Sequence, residues 1–213
     1  MQNKPILVLI FVATFVVTFI DTFSTKSMAQ SRWQQKDYKA VTHLNFRNNP
    51  IFQQKLDKNL DYGLLNATLF YVVNEYRVKN RKTALNYHTN LEIVAWNHAR
   101  QMGQFMFFGH DNPKDAKRSK LENRGDLAGI SNPFLTENLA YVVNEKADTY
   151  LAICEKFLLQ WKSKKENLAL LLSDDALQAA CGVFFFQNKW YAVQVFQSFE
   201  EIVSKSATDK LPE

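Results

Sequence analysis

Apolar residues recur at helical spacing in three stretches of the chain and gather into short β-branched or aromatic runs in three others. From Asp61 onward Leu65, Leu69, Val72, Val73 and Tyr76 fall on one helical face. Asp61 is a suitable N-cap, and the basic stretch Arg77 to Lys82 lies near the C-terminal end, where the helix dipole favours cations. Thr89-Asn90-Leu91-Glu92 has the form of a capping box, in which hydroxyl and carboxylate satisfy orphan amides reciprocally. It predicts a second helix with the stripe Leu91, Val94, Ala95, His98, Ala99, Met102 and Met106, ending near Gly109. A third helix, capped by Asp148, carries Tyr150, Ile153, Cys154, Phe157, Leu158 and Trp161.

Leu139 to Val143 reads as a short buried strand. Ala179 to Phe186 and Trp190 to Phe199 read as a hairpin turning at Gln187-Asn188-Lys189, where Asn tolerates the left-handed backbone of a tight turn. Between Gly109 and Thr136 two prolines, several glycines and many charges predict a long loop, a length that usually serves a purpose. Residues 30–60 are polar, sprinkled with aromatics and aperiodic, and read as an N-terminal extension; residues 200–213 read as a polar C-terminal tail. Helices interleaved with short, mainly antiparallel strands give an α+β domain over residues 61–199.

The first 29 residues follow a different logic. Lys4 precedes an uncharged apolar run from Pro5 to Ile20, and Ser27-Met28-Ala29 supplies the small residues a signal peptidase accepts. Sixteen residues fall short of the roughly 20 needed to span a bilayer as a helix, so a cleaved signal peptide is expected, with no stable membrane span left after cleavage. The expected location is secreted or periplasmic.

Composition narrows the chemistry. The 213-residue chain is 46% hydrophobic and 22% charged with net charge +5, a globular balance whose basic residues are explained by solvated faces. Export separates the chain from the genome, so nucleic acid is not expected as a partner. Two cysteines are too few for a disulfide scaffold. Cys154 and Cys181 both read as buried; two free thiols or one bridge are compatible with that, and export tips the balance toward a bridge. No phosphate-binding glycine loop and no nucleophile elbow is present, and no two of the four histidines stand four apart as a helical zinc pair would require.

His98 lies on an apolar stripe and reads as a core histidine with one hydrogen-bond partner. His110, at a helix-to-loop junction, is placed to point into a cleft. Glu137 stands just before the predicted strand, beside the amide of Asn138.

Taken in order, Asn74 to Arg77, Leu91, Ala95, His98-Ala99, Gly109-His110, the Arg124 and Gly129 loop, Glu137-Asn138-Leu139-Ala140, Trp161, Cys181-Gly182-Val183 and Tyr191 to Phe196 resemble the CAP superfamily. This is the superfamily of cysteine-rich secretory, antigen 5 and pathogenesis-related 1 proteins, also called SCP domains, in its bacterial secreted branch. The resemblance implies a three-layer α-β-α sandwich with a small, mainly antiparallel sheet and an open cleft lined by His110, Glu137 and Asn138. Relatives carry a second cleft histidine after the tryptophan helix; here the corresponding positions are Glu166 and Asn167, and no histidine follows His110. The zinc site of relatives is therefore expected to be absent, with no other cofactor. The expected role is a non-enzymatic module whose cleft takes a lipid, peptide or cell-wall ligand. The alternative is a hydrolase with His110 as general base beside Glu137, with or without a weakly held metal.

Overall fold

In the computed structural model, residues 32–143 and 149–212 are described. The leader expected at residues 1–29 and the expected cap Asp148 lie outside them. Five α-helices, α1 (Tyr62–Lys79), α2 (Thr89–Gln104), α3 (Leu121–Leu127), α4 (Tyr150–Lys162) and α5 (Lys165–Leu171), accompany four strands, β1 (Asn86–Tyr87), β2 (Leu135–Val143), β3 (Ala176–Phe186) and β4 (Lys189–Ser198). The sheet runs β1-β3-β4-β2, antiparallel except for the parallel β1/β3 pair, so it is mixed. Its hairpin turns on Gln187 and Asn188, both at positive φ, the backbone of a tight two-residue connection.

Strand alternation divides the core into two layers. Ala140, Cys181, Val183, Ala192 and Phe196 point toward α1 and α4, whereas Leu139, Ala180, Val193 and Val195 point toward α2. The result is the α-β-α sandwich. On the second face α2 lies directly on β3: a Cβ at Gly182 would stand 2.2 Å from the Trp96 amide nitrogen, a contact only glycine avoids.

The starts of the three long helices are each capped by a side chain, in two of them by the expected residue type. Asp61 caps α1, accepting from the Leu64 amide at 2.9 Å, and Thr149 caps α4 through the Ala152 amide. The capping box expected at Thr89 to Glu92 does not form. His88 caps α2 instead, and the Glu92 carboxylate turns into the interior, accepting from Asn66 at 2.8 Å and from the Tyr87 hydroxyl at 2.5 Å. Tertiary donors outcompete the local amide. The second helix also stops at Gln104, short of Gly109, because Met106 enters the left-handed region.

Both flanks belong to the fold. Three short 3₁₀ turns between Gln35 and Gln53 carry Phe46 and Phe52 into the α1/α4 core against Tyr71, and Trp33 with them, so residues 32–60 pack as part of the domain. Isolated aromatic anchors need no periodicity, which is why the segment reads as an extension in sequence. The C-terminal segment is likewise held. Ser131 donates to the Val203 carbonyl and Lys205 to that of Gly129, whose φ of +82° and close approach to Lys205 admit no side chain.

The bridge expected between Cys154 and Cys181 is not formed: both are free, buried thiols, and Cys154 Sγ faces the Leu65 carbonyl of α1 at 3.6 Å. Among the described residues no helix is long and apolar enough to cross a membrane.

Candidate functional site

The order of the sheet leaves β2 at one edge, and the site forms around that edge. Glu137 lies within β2 rather than before it, on the face turned toward α2 and α3, and it is buried. Neighbouring Asn138 points to the opposite face, where its amide donates to the Asn167 carbonyl of α5 at 3.1 Å. An edge strand thus offers side chains from both faces to one depression of about 390 Å³, lined by His110, Glu137, Thr136, Glu166, Asn167 and residues of α3. Asn138 stands behind it, fully buried.

Glu137 is the hub. Its Oε1 accepts from His110 Nδ1 at 3.0 Å and from Arg124 Nη2 at 2.7 Å. Arg124 is as buried as the carboxylate and does a second job. Its Nη1 donates to the carbonyl of His110 at 2.9 Å and, more distantly, to those of Arg118 and Ser119. One guanidinium therefore neutralises the buried carboxylate and fixes the backbone that presents His110. His98 secures the other side of that junction: its Nε2–H donates to the Gly109 carbonyl at 3.0 Å, from inside the core. Burial drives His98 down to about 4, so it stays neutral.

The charges sort accordingly. Burial raises the Glu137 carboxyl, but the His110 hydrogen bond and the Arg124 charge outweigh it and hold it below its ordinary value. The hydrogen bond to Glu137 raises the His110 imidazole, against partial burial. His110 remains mostly exposed, with its Nε2 free of protein partners and Nδ1 committed to the carboxylate. Glu137 Oε2 is buried without a donor. No serine or cysteine lines the depression.

Against known proteins, the sequence model of the cysteine-rich secretory protein family, CAP, matches residues 70–196, more than half of the chain. The chain belongs to the CAP family. Among solved structures this CAP domain is similar to an outer surface protein of Borrelia burgdorferi, at 18% identity and a TM-score of 0.53, over 69% of this chain and 98% of that one. It is also similar to an extracellular protein of Bacillus anthracis that contains an SCP domain, at 20% identity and a TM-score of 0.49. There 63% of this chain is matched and the chain spans only 40% of that protein's length. At these identities the likeness is one of fold. No curated protein matches the chain.

Of the two cleft histidines with which some CAP relatives hold zinc, only the first has a counterpart here, His110. The position of the second histidine carries Glu166 and Asn167, and the Glu137 oxygen that meets His110 is also occupied by a guanidinium that repels a dication, while the Nδ1 bond to that carboxylate leaves His110 Nε2 free. Among the described residues no group of three His, Cys, Asp or Glu side chains is placed to hold a metal.

Four of the residues expected from sequence, His110, Glu137, Glu166 and Asn167, meet at the depression. Arg124 is the participant that sequence reading passed over as a site residue. The long loop predicted around it contains α3, seven residues that start at Leu121, and the sequence marked Arg124 only as part of the loop that carries the family resemblance.

Proposed function

We propose that this CAP domain is an exported, non-enzymatic binding module whose ligand occupies the depression at the edge of β2. The observation that carries the reading is the setting of Glu137: pinned through one oxygen by Arg124 and His110, which hold its carboxyl below the ordinary value, with the other oxygen buried and without a donor among the described residues. A carboxylate held this rigidly is a recognition element. Acyl or phosphoryl transfer would need an activated nucleophile; the lining has no serine or cysteine, its Thr136 hydroxyl has no base bonded to it among the described residues, and its Lys120 is paired with Asp111. Export is supported by the leader pattern at residues 1–29.

One observation favours the hydrolase alternative. With Nδ1–H given to Glu137, neutral His110 keeps a lone pair on exposed Nε2, the geometry of a general base. A panel of peptidase, esterase and glycosidase substrates on wild type and His110→Ala separates the two. The binding reading expects no turnover in either; turnover lost in the variant establishes the hydrolase. Native mass spectrometry of the protein purified from its own host is expected to show a co-purifying ligand and no metal, and a near-stoichiometric zinc adduct would overturn that expectation.

A further inference from the structure

The depression at β2 does not end at Glu137. It shares Glu122, Thr136 and Leu170 with a second hollow of about 380 Å³ at the start of the strand, whose walls include Phe134, Phe196 and Phe199. Phe134 and Phe199 are 50% and 70% exposed and meet edge to face at 6.0 Å, so two aromatic rings stand in water beside the cleft. Phe199 stands at a φ of +67°, where a bulky side chain is strained, and its backbone N–H donates a hydrogen bond to the Asp175 carbonyl at 3.0 Å.

Charge completes the description. The chain is basic overall, yet the double groove is acidic. Asp111 pairs with Lys120, and Glu137 with Arg124 and His110. The exposed carboxylates of Glu122, Glu166 and Asp175 line the same walls and form no ion pair among the described residues. Inside them the unpartnered Oε2 of Glu137, in a residue 5% exposed, needs a donor. A fatty acid or anionic lipid headgroup would meet like charge here, and a neutral sterol would leave the carboxylates unused.

We infer that the double groove receives an extended basic peptide segment, an aromatic or large aliphatic side chain lying between Phe134 and Phe199 and a lysine or arginine reaching the carboxylates around Glu137. The inference rests on the binding reading above and names its ligand. Phe134 and Glu137 are three residues apart along the chain, about 10 Å at strand spacing, so the apolar and basic ligand residues should be about three positions apart as well.

The test is fluorescence anisotropy of the full mature chain with fluorescein-labelled Gly-Phe-Gly-Gly-Arg-Gly, its Arg-to-Glu and Phe-to-Gly versions, and a fluorescent fatty acid. Saturable binding is expected for the first peptide only, weakened by added salt. It should weaken about tenfold in Phe134→Ser with Phe199→Ser, and about tenfold in the triple variant Glu122→Gln, Glu166→Gln, Asp175→Asn. All five side chains are exposed, so these variants are expected to keep the wild-type melting temperature. Equal binding of the Glu peptide, or none of any peptide, overturns the inference. Fatty acid bound in place of peptide overturns it while leaving the binding reading intact, and cleavage of the peptide overturns the binding reading itself.

Discussion

Two buried glutamates on neighbouring elements are handled in opposite ways. Glu137 on β2 is met by a guanidinium and an imidazole, and its carboxyl is held below its ordinary value. Glu92 on α2 is met only by neutral donors, the Asn66 amide and the Tyr87 and Tyr38 hydroxyls, and burial pushes it up to about 7. Tyr38 and Tyr87 stack face to face over it at 3.6 Å, and Tyr38 belongs to the N-terminal segment. The first arrangement keeps a charge available beside a cleft. The second spends hydrogen bonds on tying chain segments together and gives up the charge to do so. A buried carboxylate keeps its charge where a permanent cation accompanies it and surrenders it where only neutral donors do.

Removing that cation should have the largest effect. Arg124→Leu leaves Glu137 buried and uncompensated and frees the carbonyl of His110. Loss of one partner of a buried pair costs about 3–5 kcal/mol, to be read from the urea midpoint at neutral pH. Adding Glu137→Gln should recover part of the loss, since the orphaned charge goes with it. If Arg124→Leu unfolds at the wild-type midpoint, the two glutamates are not the contrast drawn here.

The next effect depends on pH. Between about 4.5 and 7 the unfolded chain releases the Glu92 proton that the folded chain keeps, so stability from this group falls as pH rises, by about 3 kcal/mol across the window. His98 acts in the opposite sense: with its folded value near 4, stability rises with pH between about 4 and 6.5. The titratable groups facing Glu92 are Tyr38, Tyr87 and Cys181, all with raised values, so none of them titrates in this range. Denaturation of wild type and Glu92→Gln at several pH values isolates the term. The variant should be the more stable at pH 8 and close to wild type at pH 4; parallel profiles would show that Glu92 ionises freely.

The sequence discloses these regions unevenly, for physical reasons. Helices α1, α2 and α4 and the β3/β4 hairpin are long enough for periodicity or turn chemistry to show. Helix α5, seven residues with Leu171 as its buried side chain, has too few turns to display a stripe, and α3 hides among prolines and glycines. His110 and Glu137 are legible as a pair through family resemblance, but their convergence on one oxygen with Arg124 depends on the fold bringing residues 110, 124 and 137 together. At Glu92 the local pattern misleads. Thr89 to Glu92 satisfies every requirement of a capping box, and the carboxylate is drawn inward by donors 54, 26 and 5 residues away. A local motif predicts local structure only until a long-range partner offers a better bond.

The smallest effect sharpens the cleft side of the comparison. His110 should titrate above the ordinary 6.5 of a free imidazole because its protonated form gives a stronger bond to Glu137. Its stabilising contribution is then complete below pH 6.5 and disappears as pH rises through the folded value. With the ring two-thirds exposed, solvent screening limits that contribution to under about 1 kcal/mol, so NMR titration of the ring protons is the sensitive measurement. Glu137→Gln should lower the midpoint, because it removes the hydrogen-bonding charge that raises the imidazole and leaves Arg124, which repels the imidazolium, opposed only by Asp111. Glu92→Gln should leave it unmoved. A His110 midpoint that ignores Glu137 would mean that the imidazole stands free in the cleft, and the carboxylate would then serve Arg124 alone.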